Sequence, residues 1–320
     1  MHAASIILLC WAMIGAACLF PAAGAGVTAG CLALLVAVVG LPHGAADHRF
    51  ARPRLEPALG MAWLPVFLAA YLGVAVVVVC GWLVAPAATI VAFFLGSAWH
   101  FGQEESRLPI GPRILRPVFR LARGGLVIWA PLVFQGREVS EILGLVALGG
   151  SDPAIQNATN LLRACSWIML PTAAVGWVLQ GLVAATRSGR VRRILIKDNA
   201  MVASLVALFA VATPLVSFPV YFCAWHSARG LKRLRRELGE SWPELATSLA
   251  PLTVAAIALV GLAAWLVLSG SGWNETLIRA TFIGLSAVAV PHLLLHGFAP
   301  LLDASARRRT TQPLRFGSPA

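Results

Sequence analysis

Apolar runs of about twenty residues recur along the chain, separated by short polar breaks or breaks rich in glycine and proline. A helix of that length matches the ~30 Å hydrocarbon core of a bilayer. The pattern predicts spans near 4–21, 25–43, 61–82, 86–102, 121–136, 161–184, 198–213, 214–230, 248–269 and 277–299. The stretch "VATPLVSFPVYFCAWH" carries Pro214 and Pro219, which either separate two helices or kink one long helix. The predicted fold is an all-α polytopic membrane bundle of about 8–10 transmembrane helices. Residues 1–302 form one transmembrane domain, and 303–320 form a basic cytoplasmic tail expected to be disordered. No Lys or Arg precedes the first apolar run, so the basic start of a secretory signal is missing and the run is expected to be retained as a span.

Composition agrees with this reading. Of 320 residues, 59% are hydrophobic and only 12% charged, against about 25% charged in soluble domains. The six cysteines, Cys10, Cys18, Cys31, Cys80, Cys165 and Cys223, all lie inside apolar runs with no CxxC pair. They read as small buried hydrophobes.

A net charge of +12 raises the question of nucleic acid, and the placement of the charges answers it. Five basic clusters occur, at Arg49–Arg54, Arg107–Arg123, Arg187–Lys197, Arg229–Arg236 and Arg307–Arg315. They hold all but three of the 25 Lys and Arg, the exceptions being Arg137, Arg163 and Arg279. With ten spans every cluster falls on one side of the membrane. The positive-inside rule makes that side cytoplasmic, with both termini inside the cell's inner (plasma) membrane. The charge is a topology signal assisted by anionic membrane lipid, and no aromatic-interleaved soluble patch exists to bind nucleic acid.

The histidines are placed less ordinarily. His43 ends the second span within "GLPHGAADH", His100 the fourth within "SAWHFGQEE", and His226 the eighth within "YFCAWHSARG". His292 and His296 lie late in the tenth within "VPHLLLHG". Each of these spans runs toward the cytoplasm, so the rings share one depth, a turn or two below the surface. A lone histidine at a span end is commonly an interfacial residue or helix cap. Imidazoles delivered to one layer by four separate helices are what a buried metal site needs.

Asp47 lies four residues after His43, and Glu104 four after His100, positions from which a carboxylate can orient a ligating ring by accepting its other N–H. His292 and His296 share a helical face; at least one belongs to the cluster, and the other hydrogen-bonds within it. His48 points elsewhere, toward the surface, and His2 belongs to the terminus. Gly44, Gly96 and Gly102 flank the motifs and let helices approach closely. Trp99 and Trp225 read as interfacial belt residues.

Together, "PHGAADH" at 42–48, "HFGQEE" at 100–105, "HSARG" at 226–230 and "PHLLLH" at 291–296 resemble the Brp/Blh family of membrane β-carotene 15,15′-dioxygenases. The order and spacing agree from about residue 30 to 300. Each motif alone is weak, and the combination is specific. The resemblance implies that His43, His100 and His226 are iron ligands. The family element at 226–230 usually ends in a second histidine, implicated in binding iron, where this chain has Gly230. The fourth ligand then falls to His292 or to His296.

The implied activity is Fe(2+)-dependent cleavage of the central double bond of β-carotene by O2 to give two retinal molecules. Four neutral imidazoles leave up to two positions of an octahedral iron for O2. The substrate dissolves in the bilayer, so a site between spans needs no soluble carrier. A rod about as long as the ~30 Å core must lie tilted or partly across the membrane to reach such a site. Three alternatives remain. Gly230 motivates an iron oxygenase acting on another carotenoid, apocarotenoid or lipid. A metal-binding membrane transporter would line a path with histidines, although no inverted-repeat signature accompanies them. A non-catalytic helper in rhodopsin assembly would use them structurally.

Overall fold

In a computed structural model of the chain, residues 3–19, 25–105, 113–147, 152–268 and 272–311 are described. Among them the secondary structure is helical, with no strand. Helix α1 is Ala3–Leu19. Helix α2 (Ala25–Leu35) passes directly into a π-helical stretch, Val36–Gly40, then into α3 (Leu41–Ala45) and α4 (Asp47–Leu59). Pro42 cannot donate to the carbonyl one α-turn earlier, at Val38, and the backbone widens there. Helices α5 (Trp63–Val84) and α6 (Pro86–Glu105) follow.

Helices α7 (Arg116–Gly124) and α8 (Leu126–Phe134) are bent by 61° at Gly125. Every residue from Leu126 to Leu132 is buried, as expected of a helix apolar on all sides at the centre of a bundle. After α9 (Gly136–Val146), α10 (Pro153–Ala185) begins where the Asp152 carboxylate accepts from the Ala154 amide at 2.8 Å. Then come α11 (Gly189–Val211), the short α12 (Pro214–Pro219) and a second π stretch, Val220–Ser227, which begins immediately after Pro219. Helices α13 (Ala228–Leu238), α14 (Trp242–Leu268) and α15 (Trp273–Thr311) complete the bundle.

This is a multi-pass membrane protein of the predicted class. Among the described residues, five helical stretches are long and apolar enough to cross a bilayer, namely Thr28–Val84, Pro153–Ala185, Gly189–Val211, Trp242–Trp265 and Trp273–Asp303; the bent α7–α8 pair, counted as one span, makes six. That is fewer than the eight to ten apolar runs, and the physical reasons are visible. Thr28–Val84 joins the runs 25–43 and 61–82 through α4. Helix α1 is described over 17 residues, Ala3–Leu19. The run 214–230 is divided among α12, the π stretch and α13 by its prolines. Helix α6 ends in the polar "HFGQEE". Helix α15 continues through Thr311 into the stretch assigned to the tail, while 312–320 and His2 lie outside the described residues.

Helices α6 and α7 meet backbone to backbone. A Cβ on Gly102 would overlap the Arg120 carbonyl, and one on Gly124 would overlap the backbone of Gly102 and Ala98. Glycine at both positions sets α6, and with it His100, at its depth in the bundle. Away from that contact, Arg123 donates to Gln180 Oε1 and to Asp198 Oδ2, both at 2.6 Å, and ties α7 to α10 and α11. Arg279, one of the three outlying charges, donates to the Leu145 carbonyl.

Candidate metal centre

Four elements bring four imidazoles together. His43 comes from α3, His100 from α6, His226 from the second π stretch and His292 from α15. Ring centroids are 5.2 Å apart for His43–His226, 5.0 Å for His43–His292, 5.6 Å for His100–His226 and 4.9 Å for His100–His292. The ligand atoms of His43, His226 and His292 all lie within 4.8 Å of one another, and so do those of His100, Glu104 and His226. An ion bound about 2.1 Å from each nitrogen leaves ligand nitrogens roughly 3 to 4.2 Å apart, a spacing these side chains reach with small shifts. Both π stretches pass through the site, one carrying His226 and the other ending three residues before His43. Such widened turns recur at functional sites because they re-aim side chains.

The tautomers follow from the partners. Asp47 is 3% exposed, and its Oδ1 accepts from His292 Nδ1 at 2.8 Å. That bond puts the proton on Nδ1 and leaves the Nε2 lone pair facing inward, 3.3 Å from His100 Nε2. Tyr71 steadies the carboxylate: its hydroxyl lies 3.1 Å from Asp47 Oδ2 and 2.8 Å from the Val288 carbonyl. His43 Nε2 is buried without a hydrogen-bond partner. An orphaned imidazole nitrogen beside two others is costly unless something shared fills the gap.

The partnerships differ from those the spacing predicts. Asp47 holds His292 rather than His43, because the helix turns at Ala46 and separates α3 from α4. The Glu104 carboxylate accepts from Arg233 at 2.7 Å, and its carbonyl accepts from Arg229 at 2.9 Å, so α13 lies across the end of α6. Of the two α15 histidines, His292 lies nearer the other rings, 4.9 Å from His100 against 5.8 Å for His296. His296 stacks on Phe50 at 4.2 Å, with its Nε2 3.5 Å from Asp47 Oδ1. His48, expected at the surface, is half-buried and bonds the Ala45 carbonyl through Nδ1 at 2.6 Å. Trp225 carries Arg229 over its ring at 4.9 Å.

Gly230 packs directly against the cluster. A Cβ there would overlap His43 Cε1 and would lie 2.7 Å from His43 Nδ1. The space next to the 230 backbone is taken by the His43 ring.

The four rings line one part of a cavity whose other walls include Phe93, Phe94, Ile128, Phe218, Phe222 and Phe282. Apolar walls with a few convergent polar groups are the usual form of a small-molecule site.

Residues 34–299 match the family model described as β-carotene 15,15′-dioxygenase. The chain belongs to that family. Among relatives of this β-carotene 15,15′-dioxygenase family member is the protein named "Beta-carotene 15,15′-dioxygenase" from an uncultured marine bacterium, 66A03. It is 27% identical over 278 residues, covering 84% of this chain and 92% of the relative. The protein named "Probable beta-carotene 15,15′-dioxygenase Blh" from Halobacterium salinarum is 28% identical over 281 residues, covering 80% and 79%. No solved structure matches the chain.

Sequence reasoning missed Tyr71 in this family member. It is one of only two tyrosines and lies inside an apolar run, where a hydroxyl must find a partner; that was the available signal. Arg233 was counted among the topology charges, and nothing in its spacing ties it to Glu104.

Proposed function

We propose that the protein is a membrane-embedded non-haem iron dioxygenase that cleaves the central double bond of β-carotene with O2 into two molecules of retinal. The observation that carries this reading is the convergence of His43, His100, His226 and His292 within an apolar cavity. These residues fit an iron ion: the donor set is all imidazole, Asp47 orients one ring, and His43 Nε2 has no other partner. Bound there, Fe(2+) would supply activation of O2.

The chain's own residues do the rest. Asp47 fixes the tautomer of His292, and Tyr71 limits the motion of Asp47. Arg229 and Arg233 hold the end of α6 against α13 through Glu104. The cavity walls hold the hydrocarbon and exclude water, which keeps the reactive centre from side reactions. The reaction balances without a reductant. The O–O bond and the central C=C bond break, two C=O bonds form, and each oxygen atom ends in one aldehyde. O2 takes up the four electrons that the alkene carbons lose.

The same walls argue for this reading over metal transport, since phenylalanine and isoleucine offer a hydrated cation little to replace its water. The five basic clusters support a reading in which this end of the bundle lies at the cytoplasmic face of the plasma membrane, with both termini inside.

The test is purified protein loaded with Fe(2+), given β-carotene under 18O2, with products separated and weighed. The expected result is retinal as the main product, carrying label derived from O2 after correction for aldehyde exchange with water. β-Carotene returned intact with O2 and iron present would overturn the reading, as would equal retinal formation without O2.

A further inference from the structure

One wall of the cavity is an ordered row of rings. Phe218, Phe222 and His226 recur at four-residue intervals through α12 and the π stretch that follows it. Phe218 and Phe222 stack with centroids 5.4 Å apart and planes 5° from parallel. Phe222 and His226 follow at 6.0 Å and 20°. Phe282 of α15 extends the row beyond Phe218, at 5.8 Å and 34°. All four side chains line the cavity, so the row begins at an imidazole of the cluster and leads away from it. A conjugated hydrocarbon offers no polar handle, and dispersion against such faces and the shape of the walls must fix its position.

Phe222 occupies the critical place in this row, next to His226. Its ring rests on Gly40, the last residue of the first π stretch, where an added Cβ would lie 2.8 Å from Phe222 Cε1. Gly40 also lines the cavity. The two widened turns thus meet through a glycine and a phenyl ring beside the histidines. This contact decides how much room remains between the wall and the centre.

We propose that Phe222, seated on Gly40, is the specificity-determining residue for the conjugated polyene: it limits how far the chain slides past His226 and so selects the bond presented to the centre. The proposal rests on the dioxygenase reading above. The two residues act in opposite directions. Truncating Phe222 opens space beside His226 and lets the rod overshoot. Adding a methyl group at Gly40 pushes the ring into the cavity and shortens the reach.

The experiment compares wild type, Phe222→Ala, Phe222→Leu and Gly40→Ala, each loaded with Fe(2+). Each is assayed on β-carotene and on a shorter apocarotenal, with chromatography of the aldehydes and iron analysis of every preparation. Both Phe222 variants are expected to keep iron and to lose about ten-fold in selectivity for the central bond, yielding aldehydes of unequal length. Gly40→Ala is expected to keep the bond but to favour the shorter substrate, through a raised KM for β-carotene. Should Phe222→Ala fail to assemble, Phe222→Leu and Gly40→Ala decide the matter. Iron-loaded variants with the wild-type product pattern and substrate preference would overturn the role of Phe222 while leaving the dioxygenase reading intact. A wild type that cleaves neither polyene would overturn that reading and this proposal with it.

Discussion

Replacing His292 with alanine is expected to lower iron retention and retinal formation together by about 100-fold or more, whereas His296→Ala keeps most of both. A ligand deleted from a site of four leaves three imidazoles and a buried carboxylate whose partner has gone. His292 provides two functions at once, since its Nε2 faces His100 at 3.3 Å while its Nδ1 donates to Asp47 at 2.8 Å. Loss of an outer partner alone typically costs 10–100-fold in metal affinity, so loss of the ring and its anchoring bond should exceed that range. A 100-fold loss corresponds to about 2.7 kcal/mol of binding free energy. His296 stacks on Phe50, and its ring is farther from His100, at 5.8 Å against 4.9 Å for His292, so its removal leaves the four-ring set in place. Titration of each variant with a graded series of chelators measures the difference. Equal behaviour of the two variants would show that the ring facing His100 is not the one that matters.

Gly230→Ala is expected to weaken iron binding by at least ten-fold, and Gly230→His to do no better. Adding the histidine with which the resembled family motif usually ends looks like a repair, yet the geometry points the other way. The new Cβ would lie 2.7 Å from His43 Nδ1 and would overlap the neighbouring ring carbon. The His43 ring can yield by rotating about its side-chain torsions, so the fold should survive with little loss of stability. Rotation, however, carries His43 Nε2 away from the other nitrogens, and the cost appears in metal affinity. Iron content and thermal unfolding measured on the same samples separate the two effects. Tighter iron binding in Gly230→His would mean that the new imidazole takes over the place of His43, contrary to this account.

Much of this site could be read from the sequence because membrane-embedded polar residues are rare and stand out. His43, His100 and His226 each end an apolar run and His292 lies late in one, and similar depth was expected from counting runs and charges. Depth is one-dimensional, however. It could not distinguish His292 from His296, which share a helical face and differ only in which neighbour each ring meets across the bundle. Nor could it assign Asp47, whose nearest histidine along the chain is His48 and whose hydrogen-bonded partner is 245 residues away.

The helical class was equally legible, while the span count was not. Prolines at 42, 214 and 219 interrupt the apolar runs that carry histidines, and the backbone answers with π turns and short helices rather than full spans. Helix packing was legible in part. Gly102 was expected to permit close approach and does, but its partner Gly124 lies on a helix whose basic residues drew attention to the membrane surface instead.

The central claim is that four imidazoles hold an iron on which cleavage depends. The most direct measurement is retinal formation by the purified protein after exhaustive chelation, followed by stepwise return of Fe(2+). The account predicts that activity falls with the iron content and returns in proportion to iron restored, reaching its plateau at one equivalent per chain. Full cleavage of β-carotene by protein stripped of metal would contradict it.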